Sequence, residues 1–311
     1  MQEKSLFYKP PTIPEEEREA LRNSLQSYLT EDLTLCSKQH PYMILADYKT
    51  IEKRASKISK IISTADSDGK LMKWILDMSD TAIDFYLHSV QVCYLSVYIM
   101  EQYYDVPHST PAKRSLVETE LETMAVAGLL HDIGKYVVGS PALKDSEIKL
   151  IGRAAKQYRN HVVNGNAYLR HTDLPSEISQ AVLQHHETCD GTGFPLNLKE
   201  ESICLMAKII AIADTYANFN VERKSYDPFY CIGQLEKTDF LYDSTCLTRF
   251  WKGFLPKLVG KNVRLSDGRT AIFTQIEDNF PTKSRVKIGT QNIPLKDSDI
   301  YIAELVHEEH K

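Results

Sequence analysis

Eight potential metal ligands fall in order through the middle of this chain: Asp84 and His88, His131 and Asp132, His161, His185 and His186, and Asp214. Five are histidines, three are aspartates, and each lies in or beside a stretch with helical periodicity. A chain that gathers them must wrap several helices around one polar centre, which excludes most other architectures. Imidazole and carboxylate donors without a thiolate suit iron, manganese or zinc. A single histidine would mean little; the ordered set predicts a two-metal hydrolytic site.

The helical pattern runs from about Leu71 to Phe254. Segments such as DTAIDFYLHSVQVCYLSVYIMEQYY, LETMAVAGLLHD, SEISQAVLQHHE and SICLMAKIIAIADTYANF carry apolar residues at three- and four-residue intervals. Turn-rich stretches (DVPHSTPA, GSPALKDS, HTDLPS, CDGTGFPLN) separate them. Ahead of this core, acids after a proline predict a helix from Pro14 to about Leu29, with Leu21, Leu25, Tyr28 and Leu29 on one face. A second helix places Ile51, Ala55, Ile58 and Ile62 on one face, ringed by Lys53, Arg54, Lys57 and Lys60. That face either packs on the core or serves a signalling partner or a homodimer. After Pro256, short alternating runs around a Ser-Asp-Gly turn predict a small β module. The expected division is a mostly helical, regulatory segment over 1–70, an all-α core over 71–255, and a β-rich module over 256–311.

A net charge of −5 argues against a broad DNA- or RNA-binding surface, so an anionic substrate needs a local basic site. The N-terminus has no apolar signal region, and the longest apolar stretches, Met124–Leu130 and Leu205–Ala213, are too short to span a bilayer. Six cysteines without a CxxC spacing fit reduced thiols used as small buried fillers. The expectation is a cytoplasmic protein.

The ligands have distinct chemistry. Asp132 has two oxygens and can hold two cations roughly 3.5–4 Å apart, whereas His131 can bind only one. Lys135 follows three residues later, where an ammonium can meet a phosphate oxygen. Asp84 and His88, four residues apart, share a helix face. Adjacent helical residues diverge by about 100°, so His185 and His186 reach one metal only where their helix ends, and the run Asp190–Pro195 supplies that end. Asp214 lies in an apolar helix, where a carboxylate without a partner is costly. Glu187 either orients a ligand imidazole or sits at the surface. His40, His108, His171, His307 and His310 lack such context and read as surface residues.

The runs HSVQVCYLSVYI, AGLLHDIGK, HVVNGNAYL, HHETCDGTGFP and IAIADTYANF resemble the HD-GYP domain, a branch of the HD phosphohydrolases, over roughly residues 71–240. The HHE…DG.G.P element is specific to that branch. The resemblance implies a mainly α HD-type helical core with a centre of two or three divalent metals, commonly iron or manganese. By that resemblance, His88, His131, Asp132 and Asp214 hold one metal, and Asp132 bridges to a second held by His161, His185 and His186. Lys135 contacts the scissile phosphate, and Asp84 stands where a glutamate helps hold a third metal. Arg223, Lys224 and Tyr226 fall where the family carries a basic run that binds substrate.

Three departures accompany the likeness. The signature Gly-Tyr-Pro reads Gly193-Phe194-Pro195, Asp84 is a methylene shorter than glutamate, and Asp227 stands where a base is expected. The implied activity is hydrolysis of cyclic di-GMP to linear pGpG, or onward to GMP, by attack of a metal-bridging hydroxide, in bacterial second-messenger signalling. Two other readings keep the metal centre: a receptor that binds the cyclic dinucleotide without turnover, and a phosphohydrolase of another nucleotide.

Overall fold

The computed structural model describes residues 12–43, 48–137, 158–223, 226–277 and 280–306. Helices α1 (Glu15–Gln39), α2 (Tyr48–Ala65) and α3 (Lys70–Thr81) precede α4 (Ile83–Tyr103), α5 (Pro111–Leu130) and the short α6 (Ile133–Val137). Then come α7 (His161–Leu169), α8 (Ser176–Gln184), α9 (Leu205–Arg223), α10 (Pro228–Glu236) and α11 (Ser244–Phe254). Five short strands close the fold: β1 (Asn262–Leu265), β2 (Thr270–Gln275), β3 (Arg285–Ile288), β4 (Gln291–Pro294) and β5 (Ile302–Leu305). The architecture is mainly α with a small C-terminal β-sheet, as the periodicity predicts.

Helix α4 is the central post. It is buried continuously from Ser89 to Glu101 because α1, α3, α5, α9 and α11 all pack around it. Apolar residues on every face, not one stripe, are what such a helix requires. The C-terminal half of α5 is buried from Met124 to Leu130 and runs against α4 at close range, since a Cβ on Gly128 would lie 2.9 Å from the Cys93 Cα. That helix ends at Leu130, which delivers His131 and Asp132 into the core. Among the described residues, no helix is long and apolar enough to cross a membrane.

The N-terminal helices belong to the same core. The predicted face of α2 is buried at Ile51, Ala55, Ile58 and Ile62 against α1 and α5, so its apolar surface is already covered within the chain. Ion pairs from Lys53 to Glu118, Arg54 to Glu101 and Lys57 to Glu122 fasten its flanks. Helix α1 extends ten residues past the predicted end, carrying Leu33 and Cys36 along the buried face, while Tyr28 points outward. The sequence breaks its apolar spacing there with Thr30, which is buried by bonding its hydroxyl back to the Gln26 carbonyl.

His40 corrects the surface reading. It caps α1 with 4% of its surface exposed, packed among the rings of Tyr94, Tyr216 and Tyr226, and the Gln91 side-chain amide donates to its Nε2. Burial lowers its pKa to about 4. The sign follows from proton counting: between about pH 6.5 and 4 the unfolded chain binds a proton that the folded chain refuses. Stability from this group is therefore full above pH 6.5 and falls as pH drops towards 4, by about 3 kcal/mol. His40→Phe should lose that much less than the wild type over this window in chemical denaturation; parallel curves would refute the assignment. His108 and His171 are exposed as expected, and His307 and His310 lie outside the described residues.

The sheet order is β4-β3-β2-β1-β5, antiparallel throughout. The Ser-Asp-Gly turn joins β1 to β2, with Gly268 at φ 87°, a conformation that favours glycine. Alternate residues Val263, Leu265, Ala271 and Phe273 face inward, and Phe273 meets Phe229 of α10 edge-on. Helix α10 also packs on β5 and on α9, so it joins the β module to the helical core.

Candidate metal centre

Three histidines are fixed by one device. The Nδ1 atoms of His131, His161 and His185 donate to the carbonyls of Gly128, Tyr158 and Val182, each three residues earlier, at 2.9, 2.6 and 2.9 Å. A carbonyl can only accept, so Nδ1 carries the proton and the Nε2 lone pair faces the opposite way. Those Nε2 atoms, with that of His186 and with Oδ1 of Asp132, are buried and make no hydrogen bond of proper geometry. Five unpartnered polar atoms converging in one place carry a desolvation cost that bound cations would remove.

Asp132 sits between two groups of donors. Its Oδ1 lies 3.0 Å from His161 Nε2 and 3.7 Å from His185 Nε2, while Oδ2 lies 3.4 Å from His131 Nε2. Donor atoms of Asp132, His161, His185 and His186 lie within 4.8 Å of one another, as do those of His88, His131 and Asp132. Asp214 joins the second group, with Oδ1 2.9 Å from His88 Nε2 and 3.8 Å from His131 Nε2, and the Asn218 amide steadies that oxygen.

Close approach of backbone makes this possible. A Cβ on Gly134 would lie 1.9 Å from the His161 carbonyl oxygen and 2.6 Å from the Gly165 nitrogen, so only glycine lets α6 rest on α7 and bring His161 to Asp132. Charges in the centre hold one another in place. Burial alone would raise the Asp132 pKa, but Lys135, His131 and His161 hold it well below the ordinary carboxylate value. Burial also opposes charge on His131, yet Asp132 and Asp214 raise its pKa. His185 and His186 are driven towards the neutral, metal-binding form, chiefly by burial.

The loop after α8 supports the histidine pair. Helix α8 stops at Gln184, which lets His185 and His186 turn inward together. Phe194 stacks on the His186 imidazole, with centroids 4.6 Å apart and planes 20° apart, and its N–H donates to the His186 carbonyl. A Cβ on Gly193 would come within 2.5 Å of Glu187 Cα and the His186 oxygen. Glu187 performs neither expected role. It is buried, and its two oxygens accept from the N–H groups of Leu196 and Leu198, so it clamps the return leg of the loop. Asp190 tightens the loop's tip by accepting from Thr188 and Thr192.

Other expected residues fall elsewhere. Asp84 is exposed in the first turn of α4 and belongs to neither convergent donor group. Lys135 places its ammonium on Asp132 Oδ2 and 4.8 Å from the Tyr158 ring centre. Arg223 is the last residue of α9, and Lys224 lies outside the described residues. Tyr226 turns its ring edge-on to His40, 5.0 Å away. Asp227 is buried: Oδ1 accepts from Tyr230 N at the start of α10 and Oδ2 from Leu305 N in β5. It ties helix to sheet, so no base could occupy its position without dismantling that joint. Tyr158 and Arg159 escaped sequence reasoning; their one signal was their place three and two residues before His161.

Residues 108–245 match the family model described as "HD domain". A cyclic di-GMP phosphodiesterase of Pseudomonas aeruginosa is 30% identical over 207 residues, covering 65% of this chain and 47% of that protein. A probable cyclic di-GMP phosphodiesterase of Vibrio cholerae is 37% identical over 112 residues, 32% of this chain and 24% of its own. A 3′3′-cGAMP-specific phosphodiesterase of the same organism is 29% identical over 150 residues, 46% of this chain and 26% of its own. The chain thus spans about half the length, or less, of these curated relatives. Among solved structures, an HDG"Y"P protein from Bdellovibrio bacteriovorus aligns over 79% of this chain and 81% of its own, with 14% identity and a TM-score of 0.46.

Proposed function

We propose that the chain is a member of the HD-GYP branch of the HD-domain family and a metal-dependent phosphodiesterase that opens a 3′,5′-linked cyclic dinucleotide, with cyclic di-GMP the first candidate and pGpG or GMP the product. The observation that carries this reading is the placement of Asp132, whose two oxygens face two separate sets of histidines. In this reading His88, His131, Asp132 and Asp214 hold one divalent ion, and Asp132, His161, His185 and His186 hold another; the donors suit iron, manganese or zinc, and the family resemblance favours iron or manganese. Bound there, the ions would supply Lewis acidity and a nucleophile generated at neutral pH.

The chain's own residues do the remaining work. Carbonyl-anchored imidazoles keep their Nε2 atoms aimed without reorganisation when substrate arrives. The Lys135 ammonium meets a phosphoryl oxygen and stabilises the charge that grows there as the leaving 3′ oxygen departs. In the metal-free chain its pKa is raised, since Asp132 more than offsets the opposing effect of burial. Arg223, at the end of α9, is assigned to substrate phosphate. The exposed position of Asp84 favours two ions over three.

Relatives named for both cyclic di-GMP and 3′3′-cGAMP make the base pair of the substrate the open variable. The test is to purify the protein without oxygen, load it with Fe(II) or Mn(II), count the ions, and follow both dinucleotides by chromatography. Two ions per chain and conversion of a cyclic dinucleotide to its linear form are expected. Tight binding with no product would sink the enzyme reading in favour of a receptor.

A further inference from the structure

Lys135 has two neighbours of different kinds. Its ammonium lies on Asp132 Oδ2 and 4.8 Å from the centre of the Tyr158 ring, within reach of a cation–π contact. The ring is itself held by the metal-ligating histidines. It is 7% exposed, and its centroid lies 5.0 Å from that of His161 and 6.2 Å from that of His186. The Tyr158 carbonyl accepts from His161 Nδ1, so backbone and ring are anchored on the same ligand. The surface beside the Lys135 charge is therefore fixed by the His161 and His186 group.

The two neighbours differ in what they leave for a substrate. A carboxylate offsets the lysine charge and takes up an N–H donor. In the two-ion arrangement, moreover, Asp132 commits its oxygens to metals. An aromatic face attracts the ammonium through its quadrupole and leaves the net charge intact. It can hold the end of a flexible four-carbon stem in one place while the N–H donors turn to phosphoryl oxygens. We propose that Tyr158 is the positioning residue of Lys135, its ring holding the ammonium where a phosphate of the substrate meets it, an assignment that rests on the phosphodiesterase reading above. The role belongs to the ring and needs no phenolic hydroxyl.

A double-mutant cycle on the metal-loaded full chain tests this, with inorganic phosphate and then cyclic di-GMP titrated by calorimetry. Tyr158→Leu removes the ring but keeps the carbonyl that anchors His161, and should weaken phosphate binding about 5- to 30-fold. Tyr158→Phe keeps the aromatic face and should stay within about 2-fold of the wild type. In a Lys135→Ala background, Tyr158→Leu should cost nothing further, since the ring then has no charge to place. Metal content should match the wild type in both tyrosine variants. Wild-type affinity in Tyr158→Leu overturns the proposal. So does an undiminished loss in the Lys135→Ala background, or a loss of metal, either of which would make the ring a support for His161. Tyr158→Phe as weak as Tyr158→Leu overturns it as well, by giving the contact to the hydroxyl. If the wild type binds phosphate but not cyclic di-GMP, the cycle is decided on phosphate and the dinucleotide reading fails instead. A wild type that binds neither overturns both.

Discussion

Asp132→Ala is expected to lower kcat by about a thousandfold or more and to strip the protein of both metals, because each set of histidines is completed by this one carboxylate. A second effect should appear without any metal. In the metal-free chain the buried Asp132 carboxylate is the partner of Lys135, whose side chain is only 13% exposed. Removing one member of such a pair leaves the other charge buried and uncompensated, a loss of about 3–5 kcal/mol. Thermal unfolding of chelator-treated wild type and variant would measure it. Asp132→Asn, which keeps an acceptor oxygen beside Lys135, should fall between them in stability while losing both ions. A variant that keeps two ions per chain and normal turnover would remove Asp132 from the bridging role.

What the sequence revealed about this centre divides along a physical line. Asp214 stood out because a carboxylate inside an apolar helix is costly, and His131 and Asp132 because they are adjacent potential ligands of different type, set in order with the rest. The helices that carry them were legible because burial on one or all faces writes a period into the sequence. The residues that escaped notice owe their roles to contacts across long stretches of chain. His40 is buried by Tyr216 and Tyr226, far along the sequence, and nothing near position 40 announces it. Glu187 was noticed for its neighbours, the two histidines, but works on Leu196 and Leu198, across a turn that periodicity does not describe. Tyr158 contributes a carbonyl to His161 and a ring to Lys135, and a carbonyl has no sequence signature.

Asp227 shows the same limit with the largest consequence. By resemblance it reads as a lost phosphate-binding base, and the natural repair would be Asp227→Arg. The structure predicts that this repair fails. Two N–H groups, of Tyr230 and Leu305, would lose their acceptor, and a guanidinium would enter a position that is 4% exposed. Each orphaned buried donor costs about 1–3 kcal/mol and an unpaired buried charge more, so the variant should lose about 4 kcal/mol or more of stability. Because Leu305 lies in β5, the loss should begin with separation of the sheet from α10, visible as protease cleavage between α11 and β1 before the helical core unfolds. Asp227→Asn, which retains one acceptor oxygen, should keep either the cap of α10 or the tie to β5 and show a smaller loss. An Asp227→Arg protein with wild-type stability and tighter substrate binding would restore the basic run to position 227. The grip on phosphate would then lie after α9, where the family pattern puts it, and the joint between α10 and β5 would have to be held by something other than this carboxylate.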